Sequence, residues 1–162
     1  MKNHFLKRSA EPFVKSFVKS VAKPFVLSAC LAVLVMPSFA GDIIEARQKR
    51  FKQSGAALQS MFKKDAPAGD FDAIKQKANE LIEWANEMPG YFPPGSDSPD
   101  DEAKPIVFSD PEGFKQAAQK FAASAQAVED AAKSQDGAAV KAALGQLGGS
   151  CKSCHTKYRD KK

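Results

Sequence analysis

Val140-Lys141-Ala142-Ala143-Leu144-Gly145-Gln146-Leu147-Gly148-Gly149-Ser150-Cys151-Lys152-Ser153-Cys154-His155-Thr156-Lys157-Tyr158 reads as a helix whose inner face runs into a chemical motif. Val140, Leu144, Leu147, Cys151, Cys154, His155 and Tyr158 recur at the three- and four-residue spacing of one α-helical face. Cys-x-x-Cys-His is the attachment signature of c-type haem. On a helix, positions i, i+3 and i+4 lie within an arc of roughly 100°. Two thiols so placed can bond to the vinyl carbons of one porphyrin while the imidazole reaches its iron. Cys151 and Cys154 are therefore the expected covalent anchors of one haem c, and His155 its axial ligand.

Two other uses of the motif fit less well. A structural zinc site takes four Cys or His ligands, and beyond residue 40 the chain has only Cys151, Cys154 and His155. A thioredoxin-like dithiol sits at a helix N-terminus inside a βαβ unit, whereas this pair lies late in an Ala-rich helical stretch with no strand pattern nearby.

Residues 1–40 read as a secretory leader. Lys2, Lys7, Arg8, Lys15, Lys19 and Lys23 form a basic region, Phe25 to Met36 an apolar core, and Ser38-Phe39-Ala40 a cleavage site. The mature domain, 41–162, then begins near Gly41 and belongs outside the cytoplasm, in the periplasm, where haem is attached to such motifs. The apolar core is short for a bilayer span and no stop-transfer sequence follows, so no stable membrane anchor is expected. Leu27-Ser28-Ala29-Cys30 resembles a lipoprotein box, but the apolar residues Leu31 to Met36 follow it, where a lipoprotein has them before. The Phe-Val-Lys-Ser repeat at 13–16 and 17–20 lies in the leader and carries no fold information.

The formal charge of +5 is also a property of the leader. Without it, 18 basic and 18 acidic residues remain. A nucleic-acid partner expects a basic patch, and the mature balance offers none. About 120 residues suffice for one compact domain with one core.

Four stretches carry helical periodicity and none carries strand alternation, so the class is all-α. The first, about 42–63, aligns Ile44, Arg47, Phe51, Leu58 and Met61. The second, about 69–87, aligns Phe71, Ile74, Ala78, Leu81 and Ala85, with Met88 just beyond it. Asp65 to Gly69 is a turn between them. Pro89 to Val107 holds five prolines and two glycines and reads as an irregular connection. Ser109-Asp110-Pro111-Glu112 opens the third helix with a cap, a proline in the first turn and a capping-box glutamate. Phe114, Ala118, Phe121, Ala125 and Val128 continue its face, and Ser134 to Gly137 turns into the fourth. The expectation is an antiparallel four-helix bundle with the haem held between its helices by the last one.

With that pattern the chain resembles the cytochrome c′ family, whose members are four-helix bundles of up-down-up-down topology. The likeness rests on Cys-Lys-x-Cys-His-x-x-Tyr-Arg at 151–159, Arg47-Gln48 in the first helix, and Ala-Lys-Pro-x-x-x-Ser-Asp at 103–110 leading into Phe114-Lys115. It implies an exported c-type haem protein, often a homodimer packed through its first two helices, whose iron is typically five-coordinate and binds NO or CO.

The sixth ligand is the open question. His155 is the only histidine after the leader, and Met61 and Met88 are the only methionines there. In the six-coordinate relatives a methionine follows the arginine by one turn, and that position here is Phe51. Met61 lies ten residues further, roughly 15 Å along a helix. Lys49 and Lys52 should point away from the apolar face. Alone, Phe51 reads as a core residue, Arg47 as an exposed helix arginine, and Arg159 as part of a solvated basic tail. The resemblance instead puts Phe51 over the distal haem face, where many members have Leu, Arg47 on a haem propionate, and Gln48 in the haem environment. It also sets Glu102 near the haem edge and Arg159 beside the proximal imidazole. Tyr91 and Phe92 are candidates to close the pocket from the connection, and Trp84 reads as bundle core.

Two functions compete. A vacant sixth site points to a gas-binding protein that takes NO or CO and sequesters NO. A c-type haem also permits a one-electron carrier serving redox partner proteins, which six-coordination would favour. An enzyme ranks behind both, since no histidine or titratable group is placed to cleave a bound peroxide.

Overall fold

The computed structural model describes residues 39–99 and 101–160, with side chains from residue 41 onward. The leader's basic region, apolar core, repeat and Cys30 box lie outside the described residues. Four long helices, α1 (Phe39–Ser60), α2 (Phe71–Glu87), α3 (Pro111–Lys133) and α4 (Gly137–Tyr158), form an antiparallel bundle. Among the described residues the only extended pairing is an isolated bridge between Ala103 and Arg159. No helix among them is long and apolar enough to cross a membrane.

The helices start where short carboxylates can take their free amides. Asp70 accepts from the Ala73 amide at 3.0 Å, Asp110 from Gly113 at 2.9 Å, and Asp136 from Ala138 and Ala139 at 2.9 and 3.0 Å. Each such cap stabilises by about 1 kcal/mol. The cap of α3 is thus Asp110, not Ser109, which ends a short helix, Ile106–Ser109. That places Glu112 at the second helical position, one short of what a capping box requires. At the third stands Gly113, where a Cβ would meet the Asp110 carboxylate in its capping position and force it to shift.

Two further details depart from the sequence expectation. The α1–α2 connection stays helical: a π-helical turn, Met61–Asp65, widens the spiral and a three-residue turn, Ala66–Ala68, follows before Gly69 reverses the chain at φ 67°. The widened turn carries the Asp65 carboxylate into the interior, where it is 2% exposed. There it accepts from Ser60 Oγ at 3.0 Å and pairs with Lys77 Nζ at 2.9 Å. Burial alone would raise its pKa, but Lys77 and Ser60 outweigh that and hold it below the ordinary value. The Pro-rich connection is also less irregular than its composition implies, beginning with a 3₁₀ turn, Met88–Tyr91.

The core is built from the expected stripes. Ile74, Leu81 and Trp84 of α2, Phe114, Phe121 and Val128 of α3, and Val140, Leu144 and Leu147 of α4 are all buried. Each such side chain contributes about 1.5–3 kcal/mol by leaving water, so together they outweigh the caps. The close packing is α2 on α3 and α3 on α4, while α1 meets α2 and the Met88–Tyr91 turn. Met61 and Met88 are both in the core, 0% and 4% exposed.

Candidate functional site

At the C-terminal end of α4 the helical spacing does what the sequence implied. Cys151, Cys154 and His155 are half-buried on one face, while Lys152, Ser153, Thr156 and Lys157 face water. The thiols are not joined to each other. Burial pushes both thiol pKa values up, that of Cys154 to about 11 with the neighbouring Cys151 adding to it. A redox dithiol needs the opposite, a thiolate stabilised at a helix N-terminus. Among the described residues no three His, Cys, Asp or Glu side chains converge to hold a bare metal ion.

Across from α4, α1 presents Arg47, Gln48 and Phe51. Lys49 and Lys52 face solvent, as their register requires. Arg47 is not an exposed helix arginine: it is 1% exposed. Its Nη1 donates to the Tyr91 carbonyl at 3.1 Å and to Ser96 Oγ at 3.0 Å. Its Nη2 donates to the Ser96 carbonyl at 2.7 Å and pairs with the Asp101 carboxylate. Its Cζ lies 4.5 Å from the centre of the Phe92 ring. One side chain of α1 thereby organises the Pro-rich connection from Tyr91 to Asp101.

Phe51 is half-buried in a chain of aromatic rings. It meets Trp84 edge-on at 5.3 Å and Phe92 at 6.4 Å. Phe92 continues to Phe114 at 4.8 Å, and Phe114 to Tyr158 at 5.3 Å. Tyr158 lies on α4 just past His155, so the rings lead from the first helix to the end of the last. Trp84 is 2% exposed, a core residue as expected. Phe92 reaches these rings from the Pro-rich connection. Phe108, 6.2 Å from Phe92, was not anticipated.

Glu102 and Arg159, which the sequence left in separate segments, come together. Arg159 Nε and Nη2 both reach Glu102 Oε2 at 2.5 Å. Around that pair the connection is laced to α4. The Lys104 amide donates to the Tyr158 carbonyl at 2.9 Å, the Asp160 amide to the Glu102 carbonyl at 2.8 Å, and Lys104 Nζ to the Thr156 carbonyl at 3.1 Å. On the other side, Lys157 Nζ holds the Asp110 cap of α3 at 3.1 Å. The Gly113 amide and Lys157 lower the Asp110 pKa.

Comparison with known proteins agrees with this geometry. The family model described as Cytochrome C' matches residues 42–159. Cytochrome c' of Rubrivivax gelatinosus is 41% identical over 127 residues, covering 75% of this chain and 96% of the relative. The chain belongs to the cytochrome c′ family. Among solved structures, a nitric oxide complex of a mutant cytochrome c prime from Alcaligenes xylosoxidans matches at a TM-score of 0.66 and 29% identity, covering 75% of this chain and 97% of that one. A cytochrome c' described as having an unusual ligand-controlled dimer dissociation matches at 0.67 and 29%, with the same coverage.

As a member of the cytochrome c′ family the chain is a haem protein, and its residues fit haem c. Two half-buried, unbridged thiols and an imidazole share the α4 face. Among the described residues four buried side-chain polar atoms lack a partner: Arg50 Nε and Trp84 Nε1 at the α1–α2 cleft, Arg47 Nε, and Ser150 Oγ, the last next to Cys151 in sequence. A buried donor left unpaired costs about 1–3 kcal/mol, and a cofactor carboxylate is an acceptor of the right chemistry for a guanidinium. Gln48 is half-buried one position along. Three participants were missed from sequence: Ser96, Asp101 and Lys104. All sit in the connection, where no periodic pattern marks which residues turn inward.

Proposed function

We propose that the mature domain, 41–162, is a periplasmic gas-binding haem protein, released from a leader cleaved near Ala40/Gly41. The family match beginning at residue 42 supports that boundary. Cys151 and Cys154 hold one haem c, and His155 is its axial ligand. When bound, haem c supplies an iron with one further coordination position that accepts NO or CO.

The observation that carries this reading is the commitment of every other candidate ligand. Met61 and Met88 are buried in the core, Lys49 and Lys52 face water, and the α1 position one turn after Arg47 is Phe51. A ring there blocks space and offers no hydrogen bond to an incoming ligand. Arg47 and Gln48 would hold the cofactor's carboxylates, with the unpaired Arg47 Nε as the donor. The Glu102–Arg159 pair would flank His155 at the end of α4. The nitric oxide complex among the structural relatives supports the ligand class.

The assembly proposed is a homodimer through α1 and α2. Between them is a cleft of about 550 Å³, floored by Ala57, Leu81 and Trp84. Its rim carries Arg50 from α1 against Glu80 and Glu83 from α2, an arrangement suited to a two-fold contact of one patch with itself.

The test is spectroscopic. Purified from a host with haem-maturation machinery, the mature protein should carry one haem that acid-acetone does not extract, and its ferric spectrum at neutral pH should be high-spin. Cys151→Ala and Cys154→Ala should each leave a single thioether. A bare-chain mass would overturn attachment. A low-spin spectrum with a sulfur-to-iron band would mean that Met61 or Met88 reaches the metal, and would favour the electron carrier.

A further inference from the structure

Asp101 and Glu102 are consecutive residues whose carboxylates go to two different helices. Asp101 Oδ1 accepts from the Glu102 amide at 2.9 Å, which fixes its orientation, and Oδ2 pairs with Arg47 of α1. Glu102 pairs with Arg159 at the end of α4. Backbone bonds from Asp160 to Glu102 and from Lys104 to Tyr158 anchor the same segment to that end. Adjacent Cα atoms lie about 3.8 Å apart, so the two pairs spring from neighbouring points of one short backbone segment.

Each arm continues toward one side of the proposed ligand site. Arg47 lies on the Phe92 ring, and Phe92 on Phe51. Arg159 caps α4 through its amide, which donates to the His155 carbonyl at 3.1 Å. We propose that Asp101 and Glu102 form a single two-armed clasp that positions the distal Phe51–Phe92 lid and the proximal end of α4 together, so that loosening one arm changes ligand entry on the opposite face. The idea rests on the gas-binding reading above. It makes both carboxylates positioning residues, acting through the arginines rather than by touching a ligand.

The two arms differ in burial, and that makes a clean test. The Arg47–Asp101 pair is inside, its side chains 1% and 9% exposed, while Arg159 and Glu102 are 42% and 41% exposed. An exposed pair contributes little to stability, so Glu102→Gln should leave the melting temperature nearly unchanged. It should nevertheless shift the iron–histidine stretching band of the ferrous protein. It should also change the CO association rate about two- to thirtyfold, the span that contact networks carry. Asp101→Asn should change the same rate in the same direction, and the double variant should fall close to the larger single effect. The measurements are flash photolysis of CO, resonance Raman spectroscopy and thermal melts on haem-loaded mature protein. A Glu102→Gln protein whose iron–histidine band moves while CO association matches wild type would show two independent arms and overturn the clasp. So would rate effects of the two variants that simply multiply. A wild-type protein that takes up no CO would instead sink the gas-binding reading itself.

Discussion

Arg47→Met removes the guanidinium and keeps a long unbranched stem. Because Arg47 is 1% exposed and paired with an Asp101 side chain that is 9% exposed, the substitution strands a carboxylate inside the protein. Breaking a buried pair by removing one partner costs about 3–5 kcal/mol. The Ser96 hydroxyl and carbonyl and the Tyr91 carbonyl lose their donor as well, which argues for the upper half of that range. For about 120 ordered residues the entropy of unfolding is about 0.25 kcal/mol/K, so the melting temperature should fall by about 16–20 °C. Arg50→Met is the internal standard. Arg50 is 36% exposed, its partner Glu87 53% exposed, and its stacking on Trp84 at 5.3 Å survives in part through the methionine stem. A pair of that kind is worth up to about 1 kcal/mol, or about 4 °C. Circular-dichroism melts of the haem-loaded proteins at pH 7 give both numbers. An Arg47→Met protein melting within the Arg50→Met shift would mean that the connection is held by something other than Arg47.

Phe51→Ala should speed CO association if the ring, packed between Trp84 and Phe92, overhangs the proposed ligand position; unchanged CO and NO kinetics in a folded, fully loaded variant would return Phe51 to the core. Asp65 has a folded pKa below its ordinary value of 3.8, so the stability it adds is complete above that value and disappears as pH falls through the lower, folded one. The melting-temperature gap between wild type and Asp65→Asn should therefore stay constant from pH 7 to 5 and narrow only below pH 4; a gap that already closes between pH 6 and 5 would contradict the Lys77–Ser60 pairing. Asp110→Ala should cost about 1 kcal/mol, the worth of the cap it removes, visible as a melt about 4 °C lower. An alanine variant as stable as wild type would mean that the Gly113 amide is satisfied without Asp110.

What sequence could and could not supply follows from the range of each interaction. The helices were legible because burial of one face leaves a periodic trace, and Ile74, Leu81, Val128, Val140 and Leu147 all lie where that trace put them. The π-helical turn left no trace, since Met61 to Asp65 continues an acceptable α-helical pattern. Its consequence is tertiary: the Asp65 carboxylate meets Lys77 on the next helix. The cap of α3 was misassigned by one residue for a similar reason. Ser109 and Asp110 are both good caps, and the short helix that ends at Ser109 decides between them.

The candidate site divides along the same line. Cys151, Cys154 and His155 carry their chemistry in five consecutive residues, so helical geometry alone sets them on one face. Arg47 carries none until the fold supplies acceptors from Tyr91, Ser96 and Asp101, 44 to 54 residues away. Its surroundings read as those of a solvated helix arginine, and its burial is legible only once the connection is folded against it. The dependence also runs the other way. Ser96 sits in Pro-Pro-Gly-Ser-Asp-Ser-Pro, a stretch that by composition is a spacer, yet it is 2% exposed and gives Arg47 two of its acceptors. A change there reaches Arg47, through it Phe92, and through Phe92 the ring of Phe51. If the proposed ligand site lies beneath Phe51, the connection is therefore part of it, and the residues that would tune ligand entry include some that no helix carries.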